Sequence, residues 1–348
     1  MCTRFTIPYK GGTLVARTMD FASPTGTEFV KYETGKLGYW DPLNSNVKAY
    51  NKTPVWGRAT NKFGKFILCD GANQYFSVEG LWLPETKYEN RNSVLKPSTD
   101  KTDALTLMNW ILSGDVQDLN TMTDKLKNLK PVALFLDGLT ESLATIHMSI
   151  TEWITGKTII MEIGTGDTPG LVKVYDADQT GYGVMTNSPI YRSQIDNLRG
   201  YVNLNSAANV EDAVIAGMKL HMTGNGNNLV GLPGGPLPAD RFVRASILLN
   251  LATKNNPNMT LDKAKDTAAA LMNTVYVVDG TTSESAMMHL KTNWDSTLWC
   301  VIKYLDEKSN VVYLHRDKAV DGFVIRSITN ADAQDPEISE KDIQAAKA

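Results

Sequence analysis

The chain has 348 residues, a formal net charge of −3, and 42% hydrophobic against 21% charged residues. That composition is ordinary for a globular protein able to bury a sizeable core. With no Lys/Arg block and no basic amphipathic stretch, it argues against a nucleic-acid or anionic-membrane partner and leaves a small molecule as the expected one.

The first residues, Met1 to Phe21, contain no basic region followed by an apolar run, so no secretory signal is expected. No apolar stretch has the length of a membrane span. The three cysteines, Cys2, Cys69 and Cys300, are odd in number and lack metal-ligand spacing. They point to a reducing compartment, the cytoplasm, without a disulfide framework.

In chain order, short alternating runs predict strands over 3–9 and 13–17, joined by the turn Lys10-Gly11-Gly12. Further strands are expected over 29–33, 65–69 and 76–81, with loops rich in Asn, Gly, Pro and Thr between them. Helices are expected over 103–112 and 121–129. Strands follow over 133–136, 144–153, 158–163, 171–175 and 183–186. Three helices, 190–198, 239–252 and 261–272, precede strands over 284–290, 298–305, 311–314 and 323–328. Hairpin-spaced strands interrupted by paired helices predict an α+β fold with antiparallel sheets and helices outside, not a βαβ parallel sheet. One domain over 2–330 is expected, followed by a polar tail over 331–348.

Cys2 carries the chemistry. Initiator methionine is commonly removed before a small residue, which would leave Cys2 with both a thiol and a free α-amine. Unperturbed, these titrate at about 8.5 and about 7.7–8.0, so the amine is a usable base for its own thiol. Arg17 and Asp20 lie on the return strand of the first hairpin, which brings them back beside the chain start. Arg17 can favour the thiolate, and Asp20 can orient the amine.

Met1-Cys2-Thr3, with Ala16-Arg17-Thr18-Met19-Asp20-Phe21 after it, resembles the choloylglycine hydrolase family of penicillin V acylases and conjugated bile salt hydrolases. Val184-Met185-Thr186-Asn187-Ser188-Pro189 is similar to a second motif of that family. Gly231-Leu232-Pro233-Gly234, with Arg241-Phe242-Val243-Arg244, is similar to a third. The resemblance implies an N-terminal-nucleophile hydrolase with an αββα sandwich, two antiparallel sheets between helical layers. It implies that Cys2 attacks an amide carbonyl to form a thioester and that Asn187 donates to the oxyanion. It also implies that Arg17 sits beside the sulfur, that Asp20 holds the amine, and that Arg241 supports the site. Arg244 competes with Arg241 for that last role. No cofactor or metal is implied, and a homo-oligomer, commonly a tetramer, is.

One position departs from the bile salt hydrolase pattern. Where those enzymes carry an oxyanion-hole Asn after Gly-Leu, this chain has Trp82, in Gly80-Leu81-Trp82. Penicillin V acylases often place an aromatic there and use its backbone N–H. The expectation is therefore an acylase-like amidase with Trp82 in the substrate site. The alternatives are a conjugated bile salt hydrolase and a catalytically silent binder of amphipathic acids.

Other signals carry less. Gly224-Asn225-Gly226-Asn227-Asn228 lacks a phosphate-loop pattern and runs into Pro233 instead of a helix start. His147, His221, His289 and His315 are scattered, without metal-ligand spacing, and no loop alternates acidic residues as a calcium site would. Cys69 and Cys300 lie in apolar runs, as inert buried thiols do. A classical Cys-His hydrolase built on either remains the competing use of a thiol.

Overall fold

The first hairpin sets the frame. Strand β1 (Cys2–Tyr9) pairs antiparallel with β2 (Gly12–Phe21), from Cys2↔Met19 to Tyr9↔Gly12. The turn depends on Gly11, whose φ of +103° lies in a region that side chains rarely adopt. The computed structural model describes residues 2–21, 27–44, 47–60, 67–88, 102–104, 106–132, 145–177, 183–199, 212–215, 218–221, 232–278, 296–317, 322–325 and 329–330.

Within those residues the remaining strands are β3 (Thr27–Tyr32), β4 (Gly38–Asp41), β5 (Val47–Tyr50), β6 (Val55–Thr60), β7 (Ile67–Ala72), β8 (Phe76–Trp82), β9 (Thr102–Asp103) and β10 (Pro131–Val132). They continue as β11 (Ile146–Glu152), β12 (Thr158–Ile163), β13 (Val172–Asp176), β14 (Met185–Thr186), β15 (Asp212–Ile215) and β16 (Met218–His221). The last four are β17 (Ser296–Leu305), β18 (Val311–Asp317), β19 (Val324–Ile325) and β20 (Thr329–Asn330). The helices are α1 (Leu107–Ile111), α2 (Leu119–Lys127), α3 (Tyr191–Arg199), α4 (Pro238–Asn255) and α5 (Leu261–Thr274).

Two sheets face each other. One has six strands in the order β14-β1-β2-β17-β18-β19, the other eight in the order β13-β12-β11-β8-β7-β6-β3-β20. Every pairing in them is antiparallel except β20 with β3. Helices α4 and α5 cover the outer face of the first sheet, and α1 and α2 that of the second. This is the expected αββα layering.

Each layer has its own core. Phe5, Ile7, Leu14, Ala16 and Ile302 pack against Phe242, Leu249 and Leu271 of the helices. Phe76, Val78, Met148 and Ile150 pack against Met108, Trp110 and Met122. Between the sheets, Trp56, Trp299, Val301 and Tyr313 form an apolar block. Beside it the layer is charged, as described below. Local signals start the helices. The Asp118 side chain accepts from Thr121 N–H at 2.8 Å, and Thr260 accepts from Lys263 N–H at 3.2 Å, while Pro238 occupies the first turn of α4, where no N–H is needed.

The expected elements hold where alternation or helical periodicity is long, as in β1, β2, β8, β12, β17, α4 and α5. The helix expected over 103–112 is shorter. Thr102–Asp103 forms a parallel pair with Pro131–Val132, and the helix is confined to Leu107–Ile111. β4, β5, β6, β15 and β16 were not anticipated, because pairing partners rather than periodicity define such short strands. The strands expected over 133–136 and 284–290, and the tail 331–348, lie outside the described residues. Among the described residues no helix is long and apolar enough to cross a membrane.

Candidate active site

Cys2 opens β1 and is 4% exposed. The pleat sends Cys2 and Arg4 into the space between the sheets and Thr3 and Phe5 toward the helices. On β2, Arg17 and Met19 share the inter-sheet face with Cys2. Arg17 Nη2 stands 4.0 Å from Cys2 Sγ, and Met19 Sδ 3.5 Å from the same sulfur.

A bulge holds Arg17 there. The pairing of β6 with β7 runs from Arg58↔Asp70 to Ala59↔Leu68, leaving Cys69 as the extra residue. The β7–β8 ladder ends at Asp70↔Glu79. A bulge turns its backbone out of the ladder, and Arg17 Nη1 donates to the freed Cys69 carbonyl at 2.7 Å. Nη2 donates to the Gly80 carbonyl at 2.9 Å, so the guanidinium fills the fork where β7 and β8 part. Asp70 Oδ2 lies 3.3 Å from Nη1. Burial opposes the Arg17 charge, but attraction to Cys2 and Asp70 outweighs it and raises its proton affinity.

Asp20 lies three residues beyond Arg17, so strand alternation puts it on the opposite, helix-side face. There Arg241 Nη1, from α4, donates to Asp20 Oδ2 at 3.0 Å and also to Thr3 Oγ1. Thr297 Oγ1 donates to Asp20 Oδ1 at 2.6 Å. Burial pushes the Asp20 carboxyl up; the Arg241 guanidinium and the hydroxyls of Thr297 and Thr18 oppose it. Arg17 thus reaches the Cys2 sulfur on one face of the sheet, while Asp20, on the other face, is tied through Arg241 to Thr3. The two arginines have different partners. Arg244 points away from Asp20, donating to the carbonyls of Thr274 at 2.9 Å, Pro233 at 2.6 Å and Gly235 at 2.8 Å.

Asn187 follows β14, which pairs with β1 at Thr3↔Thr186. Its side-chain oxygen accepts the Cys2 backbone N–H, and its Nδ2 donates to the Trp82 carbonyl at 2.8 Å. Nδ2 carries two hydrogens, and the bond to Trp82 uses one of them. Gln194 of α3 fixes this segment by donating to the Asn187 carbonyl at 2.6 Å and the Pro189 carbonyl at 2.5 Å.

Leu83 N–H donates to Thr145 O at 2.8 Å, which makes Trp82↔Ile146 a pair without ladder bonds to each other. The N–H and C=O of Trp82 therefore both face the Asn187 edge. The indole is partly exposed. Alternation along β8 starts it on the face of Phe76 and Val78, opposite Leu81.

Cys69, expected to be buried, is only partly so, and its Sγ donates to the Arg58 carbonyl at 3.3 Å. Folding brings Arg17 and Arg58 near it, yet burial dominates and pushes its thiol up. Cys300 is buried, and burial raises its thiol to about 11. Sequence reasoning missed Thr3, Gln194 and Thr297, which touch the site residues, and the buried charges Arg4, Asp70, Glu79 and Lys303. The last two had a readable signal: a lone charge inside an apolar strand, as in Val301-Ile302-Lys303-Tyr304-Leu305. Among the described residues no cluster of His, Cys, Asp or Glu is placed to hold a metal ion.

The family model for linear amide C–N hydrolases of the choloylglycine hydrolase family matches residues 2–305. The chain belongs to this family. It is accordingly a hydrolase of linear amide C–N bonds with the N-terminal-nucleophile fold. A bile salt hydrolase/transferase of Clostridium perfringens is 31% identical over 74% of this chain and 74% of its own length. A penicillin V acylase of Pectobacterium atrosepticum is 28% identical over 74% of this chain and 61% of its own length. A crystal structure of a mutant conjugated bile acid hydrolase from Clostridium perfringens superposes with a TM-score of 0.69 at 22% identity. It covers 95% of this chain and 98% of that one, a likeness of fold.

Proposed function

We propose that the protein hydrolyses linear amides through a thioester on Cys2, exposed as the N-terminal residue by removal of Met1, and that it favours penicillin V-like acyl groups. The observation that carries the nucleophile is convergence on one residue. Arg17 reaches the Cys2 sulfur from β2 while Asn187 takes the Cys2 N–H from the far side of β1.

In this reading the Cys2 thiolate adds to the amide carbonyl, and its α-amine holds the thiol proton. The oxyanion takes the second Asn187 N–H and the Trp82 backbone N–H. Such preorganised donors contribute about 3–4 kcal/mol each to the transition state. Collapse expels the amine, which leaves with the proton from the α-ammonium, and a thioester remains. Water, deprotonated by the same amine, then releases the acid and restores the thiol. Asp20, tied to Arg241, orients that amine from the helix side.

Trp82 supports the acyl preference. Its carbonyl is bonded by the residue that clamps Cys2, while its partly exposed side chain leaves β8 on the helix-side face, away from the Cys2 sulfur. In this reading a phenoxyacetyl group extends past the end of β8 to stack on the indole there, which adds about 0.5–1.5 kcal/mol, a two- to tenfold preference. The conjugated bile salt hydrolase reading rests on the relative at 31% identity.

A substrate panel decides between them, using protein whose intact mass shows Met1 absent. It compares penicillin V, glycine- and taurine-conjugated bile acids and N-acyl homoserine lactones. Higher kcat/KM on penicillin V, narrowed by Trp82→Asn, is expected. A preference of about tenfold or more for conjugated bile acids (roughly 1.4 kcal/mol) replaces the acylase reading. Full activity in Cys2→Ala removes the nucleophile.

A further inference from the structure

Between the sheets runs a chain of buried charges from five strands. Arg17 Nη1 lies 3.3 Å from Asp70 Oδ2, and Lys303 Nζ lies 2.9 Å from Asp70 Oδ1. Lys303 Nζ is also 2.6 Å from Glu79 Oε1, and Arg4 Nε is 3.0 Å from Glu79 Oε2. All these side chains are at most 2% exposed. Further bonds fix these groups: Ser149 Oγ donates to Glu79 at 2.6 Å, Tyr313 Oη to Asp70 at 3.2 Å, and Arg4 Nη1 to the Gly183 carbonyl at 2.6 Å.

The charges do not balance. Three cations, Arg4, Arg17 and Lys303, alternate with two carboxylates. Among the described residues of the neighbouring strands, the charges beside the chain pair with one another. Arg58 of β6 meets His315 Nε2 of β18 at 2.7 Å, and His315 in turn lies 3.1 Å from the half-exposed Asp317. An uncompensated buried charge is costly, and the group at the open end of the chain, 4.0 Å from Arg17, is the Cys2 sulfur.

We propose that Lys303 and Glu79 are positioning residues for amide hydrolysis. Lys303 draws Asp70 and Glu79 together, so Asp70 holds Arg17 with Nη2 toward Cys2. The one-charge excess of the chain is neutralised by the Cys2 thiolate. This rests on Cys2 being the nucleophile, as proposed above. Burial alone would push the Glu79 carboxyl up, but the Lys303 ammonium and Arg4 guanidinium hold it below the usual carboxylate range. Glu79 is thus a standing negative charge in the count.

The test is the pH profile of Cys2 alkylation by iodoacetamide, read by mass on the Cys2 peptide so that Cys69 and Cys300 do not contribute. Lys303→Met removes a positive charge and shifts the midpoint up by about one pH unit. Glu79→Gln removes a negative charge and shifts it down by a similar amount. The double variant restores the excess and returns the midpoint to that of the parent. A structural role alone would shift neither profile, or both in one direction, and either result overturns the proposal. Should Lys303→Met fail to fold by circular dichroism, Glu79→Gln decides alone: no downward shift overturns it. The acid limb of kcat/KM follows the alkylation midpoint with KM within about twofold. Turnover by Cys2→Ala is measured separately. Its persistence would remove the nucleophile reading, while the alkylation profiles would still report the charge chain.

Discussion

Asn187 holds Cys2 by its backbone nitrogen, across 185 positions of sequence, and not by its sulfur. The same amide spans to the Trp82 carbonyl at 2.8 Å, so one side chain ties the start of β1 to the end of β8. Asn187→Ala removes the clamp and an oxyanion donor together. A fall in kcat of about 10²–10³ is expected. Asn187→Asp keeps an acceptor for Cys2 but loses the donor, and should be as impaired. Parent-like turnover in Asn187→Asp would remove the oxyanion role.

Arg241 and Arg244 should separate in mutants. Arg241→Met leaves Asp20 buried without its guanidinium partner, a loss of about 3–5 kcal/mol by urea unfolding, accompanied by lost turnover. Arg244→Met frees the carbonyls of Pro233, Gly235 and Thr274. It should cost about 1–3 kcal/mol while the folded protein keeps its kcat. Equal loss of kcat in both folded variants would merge their roles.

Cys69→Ser and Cys300→Ala should alter stability and not turnover. Serine can still donate to the Arg58 carbonyl that Cys69 meets at 3.3 Å. Cys300 is fully buried against the helices. Steady-state kinetics on both, with melts to prove folding, checks this. Lost activity in folded Cys69→Ser would favour a Cys-His mechanism.

Stability should fall in acid through Glu79. Its ordinary value is 4.5 and the folded value lies lower, so folding favours the ionised form. That stabilisation is fully present above the unfolded value and disappears as pH falls through the folded one. Urea midpoints measured from about pH 6 down to about pH 3 should drop for the parent and drop less steeply for Glu79→Gln. Parallel curves would show that Glu79 does not carry the acid limb.

The first hairpin, the long central strands and the two helices after Leu237 were legible because each combines clear periodicity with a local start or stop signal. Cys2 and Arg17 were legible together, since a tight turn fixes which residues meet. Asp20 was expected beside the chain start together with Arg17, without regard to face; three residues along a strand reverse the face. On the helix side it is linked to the start of β1 through Arg241, which also bonds Thr3. The buried charges were not legible as a group. Arg4, Arg17, Asp70, Glu79 and Lys303 sit on five strands, and only the assembled sandwich brings them within 3.3 Å of one another in sequence along the chain of contacts. Strands such as β4 and β5 escaped notice for a related reason: four residues carry too little pattern to stand out without a partner.

Thr297 and Trp299 are two residues apart, yet they serve opposite faces of one sheet. Thr297 pairs with Asp20 and bonds it on the helix side, while Trp299 pairs with Met19 and lies between the sheets, 5.3 Å from the Arg17 guanidinium carbon. Leu298 is the extra residue that permits this. Its side chain matters less than its presence as a length of backbone. Substituting it leaves both neighbours where they are, whereas deleting it takes either the threonine from the carboxylate or the indole from the guanidinium. At this point the strand tolerates a change of letter far better than a change of count, and a gap here would separate relatives more sharply than any single replacement.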